Sequence, residues 1–184
     1  MTSSSRARLR ITTLSKPAPQ TRRLSAIHRR RSLGYWLSAW WPVILAICVI
    51  VIESTAAFGA DHTSGPFRWT WEHLFGRVSN ARWALIHHDL RKTGHFLGYG
   101  TMGLLWLRAW WMTLPKAAFL LDAALALLGT AAVASLDEYH QSFLPNRTGI
   151  PSDVLLDCSG AVVLLFLYFG LRSLGPRGRS DEHA

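Results

Sequence analysis

The chain is poor in cysteine and in local motifs that announce a metal ligand or a nucleophile. Its two cysteines, Cys48 and Cys158, lie inside apolar stretches, and their spacing fits neither a disulfide framework nor a zinc site. No HExxH or comparable ligand motif occurs, and no serine or cysteine stands beside a base. We therefore predict no metal, no cofactor and no covalent catalysis, and we expect the cysteines to pack inside helices.

Acidic residues are absent ahead of Glu53, whereas basic residues are frequent there. The formal net charge of +9 comes largely from this N-terminal tail, which has too little apolar surface to offset the entropy of ordering a chain. We expect residues 1–35 to form a disordered cytoplasmic tail that meets anionic lipid headgroups, not nucleic acid. A mitochondrial presequence is an alternative. A cleaved secretory signal is disfavoured because the apolar run that follows is too long.

Long apolar runs are the feature that dominates the rest of the chain. Four stretches, at 39–58, 93–111, 117–136 and 154–171, each approach the roughly 20 residues that a helix needs to cross hydrocarbon. The segment VILAICVIVI at 43–52 is apolar on every side, unlike a helix of a soluble bundle. The sequence predicts an all-α integral membrane protein with four transmembrane helices. They form one domain at 36–172, followed by a cytoplasmic tail at 173–184.

Two local patterns add detail to this prediction. Ser79 fits the N-cap of a short helix over 80–90, whose mixture of aromatic, aliphatic and histidine residues suits a segment lying in the headgroup region. A plain surface loop is the alternative for this connection. Gly94 and Gly98 have the small-xxx-small spacing that predicts close approach of another helix.

Ionisable and polar residues gather at the ends of the predicted spans. Alternating four spans from a cytoplasmic N-terminus places both termini inside, most Lys and Arg residues on the cytoplasmic side, and the polar residues at the outer face. Spacings of three, four and seven residues put the members from each helix on one helix face. The set comprises Glu53, Lys92, His95, Tyr99, Asp137, Glu138, His140, Gln141, Arg147, Asp153 and Asp157.

Such a gathering of charge needs an explanation, because ionisable groups near hydrocarbon cost several kcal/mol unless they are paired or face water. It either carries a function or fixes the helix register as internal structure. Lys92 and Arg147 are the expected counter-charges, and the remaining acidic excess leaves protonation, a bound cation or pairing with Arg91 open. Asp122 is instead expected to be a solvated interfacial residue near Lys116.

The motifs KTGHFLGY at 92–99 and DEYHQSFLPNR at 137–147, followed by Asp153 and Asp157 ahead of Gly160, resemble the VanZ-like membrane family. That family is named for a protein that lowers susceptibility to teicoplanin-type glycopeptide antibiotics. Most of its members have no established biochemical activity. The resemblance implies a small helical domain of the bacterial cytoplasmic membrane with its polar motifs near the external face.

The first hypothesis for function is binding of a membrane lipid or a lipid-linked envelope precursor, with an effect on glycopeptide susceptibility. Basic residues would meet an anionic headgroup and carboxylates would orient it. The candidate ligand-binding residues are Lys92, His95, Tyr99, Gln141, Arg147, Asp153 and Asp157.

Three other classes of function stay open. One is a metal or proton pathway, since His95, His140 and several carboxylates could ligate a divalent ion, although no local ligand motif supports it. Otherwise the protein would be a non-catalytic structural or accessory subunit, with other membrane proteins as partners, or an enzyme acting on an anionic lipid headgroup. Chemistry would use His95 with Asp137 or Glu138 as an acid–base pair, since histidine titrates near neutrality and a carboxylate can set its tautomer. Four short spans without an inverted repeat argue against a self-contained transporter.

Overall fold

The computed structural model describes residues 32–114, 118–145, 147 and 149–174. Residues 1–31 of the predicted basic tail, most of the predicted C-terminal tail and Lys116 lie outside the described residues, whereas the last three residues of the predicted tail, 33–35, belong to a helix. Within them no strand occurs, which confirms the all-α prediction. The helices are α1 (Leu33–Glu53), α2 (Ala60–Phe75), α3 (Asn80–Thr113), α4 (Phe119–Gln141) and α5 (Pro151–Leu174), with a 3₁₀ turn at Ala56–Phe58.

In the described part of the chain, three helices are long and apolar enough to cross a membrane, namely α1, α4 and α5. The mean hydropathy of their most apolar windows lies between 2.0 and 2.2, and at most 22% of the residues in those windows are buried inside the protein. Large apolar side chains such as Leu45, Leu128 and Phe166 therefore point outward. An outer surface of this kind matches hydrocarbon and indicates a multi-pass membrane protein.

Helix α3 runs without a break through two segments that were predicted separately, 80–90 and 93–111. The predicted cap is present, because the Ser79 hydroxyl accepts a hydrogen bond from the Arg82 backbone N–H at 3.4 Å. The short helix is nevertheless not a separate element. With a rise of about 1.5 Å per residue, α3 is a rod of about 50 Å. Its charged residues leave it less apolar than α1, α4 and α5.

Helix α2 fills most of the connection between α1 and α3 and was missed in the sequence. Gly65 and Pro66 lie inside it, and both residue types usually interrupt helices. Arg68 offsets this locally by pairing with Glu72, one turn on, at 2.9 Å, and by donating to the side-chain oxygen of Asn80 at 2.8 Å. The second contact ties the end of α2 to the start of α3.

The first half of α3 packs against α2 through aromatic and histidine side chains. Trp83 is buried, and its indole N–H donates to Ser64 Oγ at 2.7 Å. His87 is also buried, stacks on Trp83 and places its Nε2 3.2 Å from Thr63 Oγ1. The helical pair α2–α3 is therefore held by side-chain contacts that the sequence pattern did not reveal.

Helices α3 and α5 approach each other over small residues. A Cβ added at Gly103 would lie 2.9 Å from the Ala161 Cβ, and one added at Gly100 would lie 2.9 Å from the Gly160 carbonyl oxygen. At Gly94 and Gly98, by contrast, no atom of the described residues lies within 4 Å of an added Cβ. The prediction of close helix approach at that pair was wrong, because the spacing alone does not say which face of α3 meets a neighbour.

Helix α1 reaches the rest of the bundle through long side chains. The Trp40 ring lies edge-on to the rings of Trp106 and Trp110, with centroids 5.6 and 5.0 Å away. The Arg108 guanidinium donates to the Ser38 carbonyl at 2.9 Å. Large side chains thus hold α1 at one end. Closer to its other end, a groove opens between α1 and α3, into which Gly94 and Gly98 face.

Candidate functional site

The polar residues singled out in the sequence come together at one end of the bundle, where a chain of contacts joins α3, α4, α5 and the α4–α5 connection. We call this set the polar cluster. Its members are Lys92, His95, Tyr99, Asp137, Glu138, Gln141, Arg147, Asp153 and Asp157.

Asp137 connects α3 to α4. One of its carboxylate oxygens, Oδ2, accepts hydrogen bonds from the Tyr99 hydroxyl at 2.9 Å and from the Gln141 amide at 3.0 Å. The other oxygen is buried and has no hydrogen-bond partner among the described residues. Of the two carboxylates expected beside His95, Asp137 has Tyr99 and Gln141 as its hydrogen-bond partners, and Glu138 lies near His95.

His95 lies closest to a different carboxylate, that of Asp157 on α5. The distance from His95 Nδ1 to Asp157 Oδ1 is 3.4 Å. Glu138 is the third member of this group, since donor atoms of His95, Glu138 and Asp157 all lie within 4.8 Å of one another. The Ile150 backbone N–H donates to Glu138 Oε2 at 3.0 Å and fixes that side chain.

The two expected counter-charges have different partners. Lys92 forms an ion pair with Asp153, which links α3 to the first turn of α5. Arg147 uses Nη2 to donate to the main-chain carbonyls of Glu53 and Thr55, where α1 ends. Glu53 is the last residue of α1, so its carbonyl lacks a partner within the helix, and the Thr55 carbonyl also accepts from the Phe58 backbone N–H at 3.1 Å. Arg147 is thus engaged by backbone and not by the carboxylates.

The surroundings of Arg147 leave part of its guanidinium unsatisfied. Its Nε is buried and has no hydrogen-bond partner within the described part of the chain. Burial, followed by the charge of Arg91, lowers the pKa of Arg147 below its ordinary value. An anionic acceptor placed beside Nε would counter the effects of burial and of the Arg91 charge on this pKa.

Three other residues named in the sequence analysis lie apart from the polar cluster or differ from expectation. The Glu53 and His140 side chains are exposed, and His140 Nδ1 lies 3.0 Å from Ser54 Oγ. Asp122 is only 4% exposed, so its predicted solvation was wrong. It shares a helix face with the buried residues Ala126 and Thr130, and this face points into the bundle.

Two cavities adjoin at the polar cluster. The first is a groove of about 600 Å³ with mostly apolar walls between α1 and α3, and the second is a more polar cavity of about 770 Å³ between α2, α3 and α5. Both are lined by Arg91, His95, Gln141 and Arg147. An apolar space and a polar space therefore share one wall of basic and polar side chains.

A family model described as VanZ/LLP1 matches residues 39–172, a range that includes the whole polar cluster and both cavities. No curated protein and no solved structure matches the chain. The resemblance inferred from the KTGHFLGY and DEYHQSFLPNR motifs is confirmed by this match. The chain belongs to the VanZ/LLP1 family and, with its apolar helices, is a membrane protein of the VanZ type.

Proposed function

We propose that this protein binds a lipid or a lipid-linked precursor of the bacterial cell envelope at the polar cluster. The acyl chain would occupy the apolar groove and the anionic headgroup would lie at the wall shared with the polar cavity. The main observation behind the proposal is that the apolar groove and the polar cavity share four lining residues, namely Arg91, His95, Gln141 and Arg147. An amphiphile needs this combination of surfaces.

The groove supports the apolar half of the proposal. Leu45, Val49 and Leu105 contribute to its walls, and Gly94 and Gly98 add width because no side chain fills the space beside them. Its volume lies within the range of about 300–1,000 Å³ that is typical of small-molecule sites.

The basic side chains support the headgroup half. Lys92 is already paired with Asp153, whereas Arg147 keeps a buried Nε without an acceptor and Arg91 forms no ion pair within the described ranges. Arginine suits phosphate because its planar fork donates two parallel hydrogen bonds. A phosphate between Arg91 and Arg147 would also offset their mutual repulsion.

We further propose that α3 is a fourth membrane span over 93–111, which makes 36–172 a four-helix domain. Both termini would then be cytoplasmic and the polar cluster would face outward, with 80–90 near the outer headgroups. Support comes from packing: Leu107 on α3 forms a buried cluster with Ala126 on α4 and Leu165 on α5. This contact supports a membrane depth for α3 similar to that of α4 and α5.

Filling the groove tests lipid binding. Gly98→Leu should lower the amount of lipid that co-purifies with the protein, as measured by mass spectrometry, because the new side chain occupies the space proposed for the acyl chain. Gly170→Leu is the matched control, since Gly170 also has open space around it but lies on α5 away from the groove. Equal lipid content in the wild type and both variants would refute the proposal.

A structural or accessory role is the second candidate. It is favoured by the contacts from Tyr99 to Asp137 and from Lys92 to Asp153, which join three helices whether or not a ligand binds. An Arg147→Gln variant separates the two roles. Normal membrane accumulation with changed susceptibility to a teicoplanin-type glycopeptide supports ligand binding, whereas loss of the protein supports the structural role. An enzyme acting on the headgroup would use His95 beside Asp157.

A further inference from the structure

Three donor side chains from three different helices converge inside the polar cluster. His95 on α3, Glu138 on α4 and Asp157 on α5 each offer one ligand atom, and these atoms all lie within 4.8 Å of one another. Helix packing, not a local motif, brings them together. For this reason no spacing rule for metal ligands finds them in the sequence.

The burial of Asp157 is the second observation. Its side chain is fully buried, at 0% exposure, and neither carboxylate oxygen has a hydrogen-bond partner among the described residues. Glu138 beside it is 6% exposed, and Asp137 contributes a further unpartnered oxygen. His95, at 3.4 Å, is the one basic group within ion-pair distance of Asp157 among the described residues. A single histidine carries at most one positive charge against three buried acids, and such an excess of buried negative charge is strongly disfavoured. A divalent cation removes this imbalance.

We propose that His95, Glu138 and Asp157 bind a divalent transition-metal ion of the zinc type. A tetrahedral zinc site with bonds of about 2.0–2.1 Å has donor atoms about 3.3–3.5 Å apart. The 3.4 Å from His95 Nδ1 to Asp157 Oδ1 already fits this separation. The Glu138 ligand atom lies within 4.8 Å of the other two, so it has to approach them by at most about 1.4 Å to reach the same separation.

The donor set also selects among metals. One imidazole nitrogen and two carboxylate oxygens suit zinc or manganese better than calcium or magnesium, which prefer six or more oxygen ligands. Three protein ligands leave a fourth position for water or another group, the arrangement of catalytic sites and not of structural ones. His95 lines both cavities, so that position is reached from the shared wall. The hydrogen bond from the Ile150 N–H to Glu138 orients one ligand.

Zinc binding by the purified full-length protein tests the site directly. After treatment with EDTA and repurification, the wild type should take up one Zn²⁺ per chain, measured by elemental analysis and by competition with a chromophoric chelator. His95→Gln and Asp157→Ala should each weaken the affinity by at least about tenfold. Two controls should keep the wild-type affinity: His88→Gln, an exposed histidine on the same helix, and Asp122→Asn, a buried aspartate outside the site.

Wild-type protein alone can overturn the proposal, so it stays testable if a variant fails to fold. Co²⁺ added to the metal-free wild type should give visible absorption bands of a four-coordinate ion, and Zn²⁺ should abolish them. No bands and no stoichiometric zinc would refute the site. Equal affinity in the wild type and in folded His95→Gln protein would also refute it. The probe is the metal alone, so the result does not depend on the proposed lipid binding.

Discussion

Gly160 lies where the backbones of α3 and α5 meet. An added Cβ would overlap the Phe96 main chain, which cannot move aside without separating the two helices. We expect Gly160→Ala to lower the free energy of unfolding in detergent by about 3 kcal/mol or more, measured by thermal or denaturant unfolding. Gly98→Ala is the control and should be neutral or slightly stabilising, because its added methyl group meets open space and favours the helix. Equal stability of the two variants would contradict this packing.

At the scale of single residues, the sequence allowed the members of the polar cluster to be named but not their partners. Helical spacing predicts that Lys92, His95 and Tyr99 share a face, since that follows from 3.6 residues per turn. It does not predict that His95 meets Asp157 and not Asp137. That choice depends on how far α5 is rotated and shifted against α3, and the Gly100 and Gly103 contacts set this register only in the folded bundle.

The pairing of α2 with α3 should depend on pH through His87. Burial, followed by the charge of Arg91, lowers the pKa of His87 below its ordinary value of 6.5. Its contacts from α2, Thr63 and Phe67, do not titrate in this range. The unfolded chain therefore binds a proton more readily than the folded one, so stability is full above about pH 6.5 and is lost as the pH falls below it.

Hydrogen exchange measures this effect at the level of the helix. Amide protection across Ala60–Phe75, corrected for the intrinsic pH dependence of exchange, should fall between pH 7.5 and pH 5.5 in the wild type. His87→Gln keeps a polar side chain but cannot titrate, so its corrected protection should be nearly the same at both values. A wild type without this loss, or a variant that shows the same loss, would exclude His87 as the cause.

Among the elements, α2 and α3 show where sequence patterns are weakest. Pro66 and Gly65 argue against a helix locally, yet α2 forms because Trp83 and His87 supply a surface for it to pack on. The intrinsic helix propensity of a residue contributes less to the free energy of folding than such tertiary contacts do. In α3 the opposite holds: the charged stretch between 80–90 and 93–111 predicts a boundary, yet its residues are all compatible with a helix and the helix continues through it.

For the whole molecule, the number of spans determines whether the two termini lie on the same side of the membrane. If α3 crosses together with α1, α4 and α5 and the N-terminus is cytoplasmic, the α1–α3 connection lies outside and the α3–α4 connection inside. In a variant without its native cysteines, Thr70→Cys should react with an impermeant maleimide in intact cells. Ala118→Cys should react only after lysis. The reverse pattern would overturn the orientation, and labelling of both sites in intact cells would exclude α3 as a span.

Composition was sufficient to predict three apolar helices, because a long apolar run with few charged residues has few alternatives to a bilayer. The role of α3 could not be decided in that way. Its charges lower its hydropathy, and only its contacts with α4 and α5 bear on its depth. The groove was likewise beyond prediction, since it arises from the distance at which Trp40 and its partners hold α1 from α3.

The contact between Arg147 and the end of α1 has a consequence for affinity. Nη2 is anchored on the Glu53 and Thr55 carbonyls, so much of the rotamer freedom of this arginine, about 2 kcal/mol, is already lost on folding. An anion meeting Nε would then bind a preorganised group and lose less entropy. By reciprocity, whatever displaces the end of α1 weakens the anion site, and a bound anion steadies α1.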